Sequence, residues 1–234
     1  MNIALLGYGK MGKTIEHLAT KKGHSIVFSS SGTSTEGNLA DAEVALEFST
    51  PETAVENITL CLENNIPVVS GTTGWLDRYP EVLKICERRN GSFVYASNFS
   101  IGVNLFFSLN EYLARLMKPR TEYNVAIEEI HHTQKKDAPS GTAITIAEGI
   151  LKHSEKDRWK LDSADKNDLN ISAKRINDVK GTHIVNYFSE LDTLSIKHEA
   201  HSRDGFALGA ILAAEWLIGK KGVFTMKDVL EIVE

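Results

Sequence analysis

The sequence predicts an α/β protein: an N-terminal doubly wound parallel sheet, followed by an α+β portion built on a mixed, largely antiparallel sheet. Three observations carry this. Short apolar runs alternate with helix-like stretches over the first hundred residues, the rhythm of a parallel sheet, in which every return needs a crossover. That rhythm stops after Asn98. Three strand-like runs joined by short turns then fill Ile171 to Glu199, the pattern of an antiparallel meander. With 234 residues and 42% hydrophobic content, the chain is long enough for one large or two small cores, and the change of rhythm favours two.

The elements follow in order. Met1 to Leu6 is an apolar strand, Gly7 to Gly12 a glycine-punctuated turn, and Met11 to Lys22 a helix with Met11, Ile15, Leu18 and Ala19 on one face and Gly23 as its stop. Ser25 to Phe28 and Val44 to Phe48 are strands, with Ser31 to Asn38 a polar loop between them. Thr50-Pro51 reads as a helix start, with a hydroxyl cap and proline at the first position, and Ala54, Val55, Ile58 and Cys61-Leu62 mark its buried face. Pro67 to Ser70 and Phe93 to Ala96 are further strands around a helix from Leu76 to Arg89. Beyond Asn98, the pattern predicts a helix over Val103 to Met117, a strand over Tyr123 to His131 with Val125, Ile127 and Glu129 on one face, and a helix over Ser140 to His153. Ser154 to Asn170 is polar and charge-rich, and is expected to be loosely packed. After strands at Ile171 to Ile176, Thr182 to Phe188 and Thr193 to Glu199, an apolar helix spans Phe206 to Ile218. A short final helix starts at Thr225, capped with Asp228.

Composition narrows the function classes. The net charge is -5 and the lysine pairs are scattered, so no basic stripe suits nucleic acid. No apolar run reaches the ~20 residues of a membrane span, and the start lacks a basic leader; a cytoplasmic protein is expected. Cys61 and Cys86 lie in helix-like stretches without metal or redox spacing, and no metal site is expected.

Gly7-Tyr8-Gly9-Lys10-Met11-Gly12 is Gly-x-Gly-x-x-Gly between a strand and an amphipathic helix. That context lets main chain approach a pyrophosphate at a positive helix end; a turn that binds nothing is the blander reading. The second strand runs on to Phe28-Ser29-Ser30-Ser31 with no acid for the ribose hydroxyls. Ser29 and Lys10 instead suit a 2′-phosphate, which tilts the cofactor toward NADPH while allowing NADH. Gly71-Thr72-Thr73-Gly74 and Ala96-Ser97-Asn98-Phe99 follow strands at the edge where a doubly wound sheet binds ligands.

Glu129 to Thr142 concentrates the remaining chemistry. His131 and His132 end a strand, so their side chains diverge and do not share a metal. Lys135 adds a cation, and Ser140-Gly141-Thr142 opens a helix whose first amides are free for an anion. Asp137 reads as a turn former or helix cap. Arg203, after His198 to Ser202, is either a carboxylate clamp or a surface ion pair.

With Gly7 to Gly12, Gly71 to Gly74, Ser97 to Asn104, His131 to Thr142 and Ser202-Arg203-x-x-Phe206-Ala207-x-Gly209-Ala210 in view, the chain resembles the dihydrodipicolinate reductase (4-hydroxy-tetrahydrodipicolinate reductase) family from end to end. The resemblance implies a Rossmann-like dinucleotide domain over 1–101 and 204–234, and a substrate-binding and oligomerisation domain over 102–203. It implies a cyclic imine dicarboxylate as substrate, a homotetramer, and a place in lysine and diaminopimelate biosynthesis. His131 would act as proton donor or acceptor and Lys135 would assist it, while His132, Gly141 and Thr142, with Arg203 less firmly, would hold substrate. Gly7, Tyr8, Gly9, Lys10, Met11, Gly12, Ser29, Gly71, Thr72, Thr73, Ala96, Ser97, Asn98 and Phe99 fall to the cofactor. The chain departs in a fingerprint one residue shorter than many relatives and in the missing acid. Two rival readings remain: another two-domain amino-acid dehydrogenase, which has no reason to carry the His131 to Thr142 loop, and a sensor that binds NAD(P)H without turnover.

Overall fold

The structure is a computed structural model that describes residues 1–32, 34–163 and 165–233; Thr33 in the expected polar loop and Ala164 in the expected polar excursion lie outside the described residues. The chain divides into two compact units, Met1–Ile101 with Asp204–Glu234, and Gly102–Arg203. In chain order the first unit opens with β1 (Asn2–Leu6), α1 (Lys10–Lys21), β2 (Ser25–Ser31), β3 (Ser34–Gly37), β4 (Val44–Glu47), α2 (Pro51–Glu63), β5 (Val68–Ser70), α3 (Tyr79–Arg88) and β6 (Ser92–Tyr95). Next come α4 (Ile101–Met117), β7 (Asn124–His131), α5 (Gly141–Leu151), β8 (Arg158–Leu161), β9 (Asp168–Arg175), β10 (Thr182–Phe188) and β11 (Thr193–Glu199). The chain then adds α6 (Asp204–Leu217), β12 (Gly222–Phe224) and α7 (Met226–Val229) to the first unit.

The first unit is a seven-stranded sheet in the order β12-β6-β5-β4-β1-β2-β3, parallel except for the β2–β3 hairpin. Alternate strand residues feed opposite faces. Ile3, Leu5, Leu46, Val69 and Val94 pack with Ile15 of α1 and Ala210, Ala214 and Leu217 of α6. Ala4, Leu6, Ala45, Val68 and Phe93 pack with Ile58 and Leu62 of α2 and Val82 of α3. Apolar on both faces, these strands show little polar alternation, as a doubly wound sheet requires.

Local detail corrects some expectations. Ser34 to Gly37, expected as loop, is a strand: Ser29 pairs with Glu36 and Ser30 with Thr35. The expected helix over Leu76 to Arg89 begins as a 3-10 turn, Leu76–Arg78, before α3. Thr50 precedes Pro51 at the head of α2 but does not cap it; its hydroxyl lies 3.2 Å from that of Thr53. Asp228 accepts from the Thr225 amide at 2.7 Å, as the spacing anticipates. Strand β12 is too short for a sequence pattern and exists because β6 leaves an edge open to it.

The second unit is a five-stranded sheet in the order β11-β10-β7-β9-β8. Phe106, Leu113 and Ala114 of α4 and Ala143, Ile146 and Ile150 of α5 cover its face, against Val125, Ile127, Leu169, Ile171 and Val185. Asn110 in α4 donates to Ile146 O of α5 at 3.0 Å. Of the expected meander the antiparallel β10–β11 hairpin is observed, but β9 is not beside β10: it runs parallel to β7 and β8, and β7 lies between β9 and β10. Side-chain alternation is the same in either order, so local sequence cannot distinguish them. Nor are the described residues of 154–170 a loose excursion. They contain β8, and buried Asp168 meets Lys160 at 2.6 Å and Arg158 at 3.1 Å, so the charges that looked like a solvated stretch neutralise one another across paired strands. Among the described residues no helix is long and apolar enough to cross a membrane.

Candidate active site

In the first unit, the fingerprint turn is shaped by contacts only glycine permits. Gly7 has φ +100, and a Cβ there would stand 2.1 Å from Phe48 O; one at Gly12 would stand 2.4 Å from Gly7 O. Gly9 differs: a Cβ would meet nothing within 4 Å, so its main chain borders open space. It is also the N-cap of α1 and has no side-chain cap bond, which leaves first-turn amides for an anion. This is a cradle of the kind a pyrophosphate fits, and the residues present suit a dinucleotide. Tyr8 donates to Glu16, while Lys10 is exposed.

Beside the turn, Met11, Phe48, Gly71, Thr72, Thr73, Ser97, Asn98 and Phe99 line a cavity of about 330 Å³. Ala96 does not line it; its amide donates to Ser70 O at 3.3 Å. A Cβ at Gly71 would lie 2.1 Å from the Phe48 ring, so glycine there lets Phe48 meet Phe99 at 5.8 Å between centroids. Glu47, fully buried at the end of β4, accepts from Ser70 Oγ at 2.6 Å, Thr72 Oγ1 at 2.8 Å and the Ser49 amide at 3.0 Å. It thus gathers the loops after β4 and β5. The Thr72 hydroxyl, which also accepts from Ser49 N at 2.8 Å, is committed to this network, leaving Thr73 and the loop main chain to face a ligand. The sequence reading passed over Glu47, although an acid inside the run Val44 to Phe48 signalled it.

It also passed over Glu36. The expectation looked for an acid at the end of β2; β3 brings one alongside instead, paired with Ser29. Cross-strand partners share a face. Tyr8 registers it: the phenol is held above its usual range first by the bond to Glu16, then by burial and the charges of Glu16 and Glu36.

In the second unit, the inward face of β7 carries Val125, Ile127, Glu129 and His131. Glu129 is fully buried and His131 is 8% exposed, with His131 Nε2 and Glu129 Oε2 3.4 Å apart. Burial alone would push the Glu129 carboxyl up; hydrogen bonding from His131 and Ser140 outweighs it and holds the group well below the carboxylate range. The Ser140 amide donates to Glu129 Oε2 at 3.0 Å. His183, buried on β10, stands 5.1 Å from the His131 ring, edge to face, and 3.2 Å from Ser140 Oγ. Burial first, and then the His131 charge, depress His183 to about 4. It is therefore neutral, and its Nε2 shares a hydrogen bond with the serine hydroxyl.

Ser140 caps α5 by accepting from Ala143 N at 3.2 Å, so Asp137 is not the helix cap. Its carboxylate instead holds Lys135 Nζ at 2.7 and 2.8 Å. Gly141 and Thr142 are the first residues of α5, where amides have no partner within the helix, and a Cβ on Gly141 would meet open space. Arg203 Nη2 lies 3.2 Å from Nε2 of His132; burial first, then the Arg203 charge, keep this ring's pKa low. A neutral His132 thus accepts from Arg203. His131, Lys135 and the head of α5 lie along one short loop, while Arg203 reaches them through His132. Glu129, Arg175 and His183, to which the sequence reading assigned no role, form the floor.

One donor atom each of Glu129, His131 and His183 lies within 4.8 Å of the others, a spacing that a metal ion can use. Arg175 Nη1 stands 3.5 Å from the other Glu129 oxygen. That fixed cation already serves the carboxylate and opposes a divalent ion by like charge.

The model of the dihydrodipicolinate reductase N-terminus matches residues 1–99, and that of its C-terminus matches residues 102–230. The 4-hydroxy-tetrahydrodipicolinate reductase of Christiangramia forsetii is 54% identical over 233 residues, 98% of each chain. That of Methanoregula boonei is 37% identical over 80% of this chain and 74% of its own. Among solved structures, a dipicolinate-bound dihydrodipicolinate reductase from Paenisporosarcina sp. TG-14 matches with a TM-score of 0.81 over 100% of this chain and 99% of that one, at 22% identity, and so shares the fold. Both units being matched by one family's models, the chain belongs to the dihydrodipicolinate reductase family.

Proposed function

We propose that this protein is a 4-hydroxy-tetrahydrodipicolinate reductase, an NAD(P)H-dependent oxidoreductase that converts the hydroxylated cyclic imine dicarboxylate, whose hydroxyl leaves as water, to tetrahydrodipicolinate in lysine and diaminopimelate biosynthesis. The observation that carries the reading is the buried Glu129–His131 pair at the end of β7, beside a cation and the open head of α5. When bound, the reduced nicotinamide supplies a hydride. His131 supplies the proton, its ring oriented by Glu129 at one nitrogen. Two substrate carboxylates need at least two positive or amide-rich contacts; Lys135 and the amides of Gly141 and Thr142 are the first two, and Arg203 with His132 a third. The Lys135 pair with Asp137, whose side chain is 61% exposed, is worth only about 0–1 kcal/mol, so a substrate carboxylate competes for the ammonium.

The cofactor is a pyridine nucleotide held at the fingerprint turn and the cavity next to it by Gly7 to Gly12, Ser29, Gly71 to Thr73 and Ser97 to Phe99. The sequence leans to NADPH because β2 ends without an acid. Glu36, paired with Ser29 and close enough to act on Tyr8, supports NADH instead, since a carboxylate bonds ribose hydroxyls and repels a 2′-phosphate. A homotetramer built on the second unit's sheet and a cytoplasmic location complete the proposal.

Steady-state turnover of freshly generated substrate with each cofactor tests it. We expect a preference for NADH that Glu36→Gln erodes, and a kcat loss of about 10²-fold or more in His131→Ala. Unchanged turnover in His131→Ala removes that residue from the chemistry. A cofactor ratio that ignores Glu36→Gln removes Glu36 from selectivity.

A further inference from the structure

Arg175 is the last residue of β9, in register with His131 across the parallel β7–β9 pair. Its side chain is 22% exposed, and each guanidinium nitrogen has its own acceptors. Nε donates to Lys135 O at 3.3 Å and Nη2 to Asp137 O at 2.7 Å. Nη1 donates to Lys174 O at 3.0 Å and faces Glu129 Oε1 at 3.5 Å. Two of these acceptors are main-chain carbonyls of the loop between His131 and α5, the loop that carries Lys135. Around them that loop has few other ties: Lys135 N to His132 O at 3.1 Å, Thr133 Oγ1 to Asn177 Oδ1 at 3.0 Å, and Ser140 N to Glu129 at 3.0 Å.

We infer that Arg175 is a positioning residue for the reaction: its guanidinium sets the path of the main chain from Lys135 to Asp137, and so where the Lys135 ammonium stands, while buried Glu129 balances its charge. The inference rests on the role given to Lys135 above. Its physical basis is the fork. Two carbonyls two residues apart along the loop, and a carboxylate beyond them, are met together by a rigid planar group with five donors; an ammonium offers the charge without the fork. Glu129 makes the arrangement a single unit, because the carboxylate that faces Arg175 also faces His131 and accepts from the N-cap residue of α5. Arg175 touches none of the groups assigned to substrate through its own side chain, and acts on Lys135 through the backbone of the loop.

The test uses the full-length protein carrying Arg175→Lys or Arg175→Met. The first keeps a cation against Glu129, and so keeps the fold if the second does not. Amide hydrogen exchange is followed in the ligand-free protein, alongside kcat and KM. We expect the Lys135 and Ser140 amides to exchange at least about tenfold faster in Arg175→Lys while the interiors of β7 and β10 stay protected. We also expect kcat/KM to fall about 10²-fold, the scale of a misplaced site group. Loop exchange within about twofold of wild type overturns the inference whatever the activity. Faster exchange with unchanged kcat/KM also overturns the positioning role, while unchanged kcat/KM in Lys135→Ala overturns the role of Lys135 itself, so the two failures are distinct.

Discussion

Acidification should destabilise the second unit, with His183 the most depressed of its histidines. His183 is 4% exposed and titrates near 4 in the fold against 6.5 for a free imidazole. Burial is the main cause, followed by the charge of His131. Glu129 acts in the opposite direction, and His198 and Lys135 add to the depression. Between these values the unfolded chain binds the proton and the folded chain does not, so stability is complete above about pH 6.5 and falls as pH drops toward 4. The gap corresponds to at most ~3 kcal/mol. For a chain of this size that is a melting-temperature loss of about 6–12 °C. The control is His183→Gln, which keeps a partner for Ser140 Oγ without the titration. Thermal unfolding by circular dichroism at pH 7, 6, 5 and 4.5 should give a steeper decline for wild type than for the variant. Parallel curves, within about 2 °C at every pH, would refute the assignment of a buried neutral ring.

Two further predictions concern the first unit. A Cβ on Gly209 of α6 would stand 1.7 Å from Phe99 O, so Gly209→Ala should cost about 2–3 kcal/mol by forcing the helix off the Ser97–Phe99 loop and should weaken pyridine-nucleotide binding. A melting temperature and a fluorescence titration equal to wild type would show that the helix yields freely. Glu47→Ala strands the hydroxyls of Ser49, Ser70 and Thr72, which now share one buried carboxylate, and at about 1 kcal/mol or more for each unpaired donor the loss in urea unfolding should reach about 3 kcal/mol. A loss below about 1 kcal/mol would mean that water replaces the carboxylate.

Much of the first unit is legible from local pattern because parallel strands and their crossover helices are each marked in one short stretch: Gly7 to Gly12 between β1 and α1, or Pro51 at the head of α2. The reading fails where pairing is the cause of the structure. Ser34 to Gly37 has no strand composition and is extended because β2 offers it an edge. Residues 154–170 look like solvated chain until Lys160 and Arg158 meet Asp168. The expected meander holds for β10 and β11 but fails for β9, since alternation identifies a strand's faces but not its neighbours.

The sequence by itself determined the alternating α/β start, the glycine turn, and a loop where His131, Lys135, Gly141 and Thr142 stand close because they are close along the chain. Tertiary structure alone decided what surrounds them. Inserting β7 between β9 and β10 sets Arg175 and His183 on either side of the Glu129–His131 pair, and the β2–β3 hairpin carries Glu36 to Ser29. These groups are separated by 7 to 54 positions in the chain. What joins them is strand register, a property of the whole packed sheet that no local spacing records.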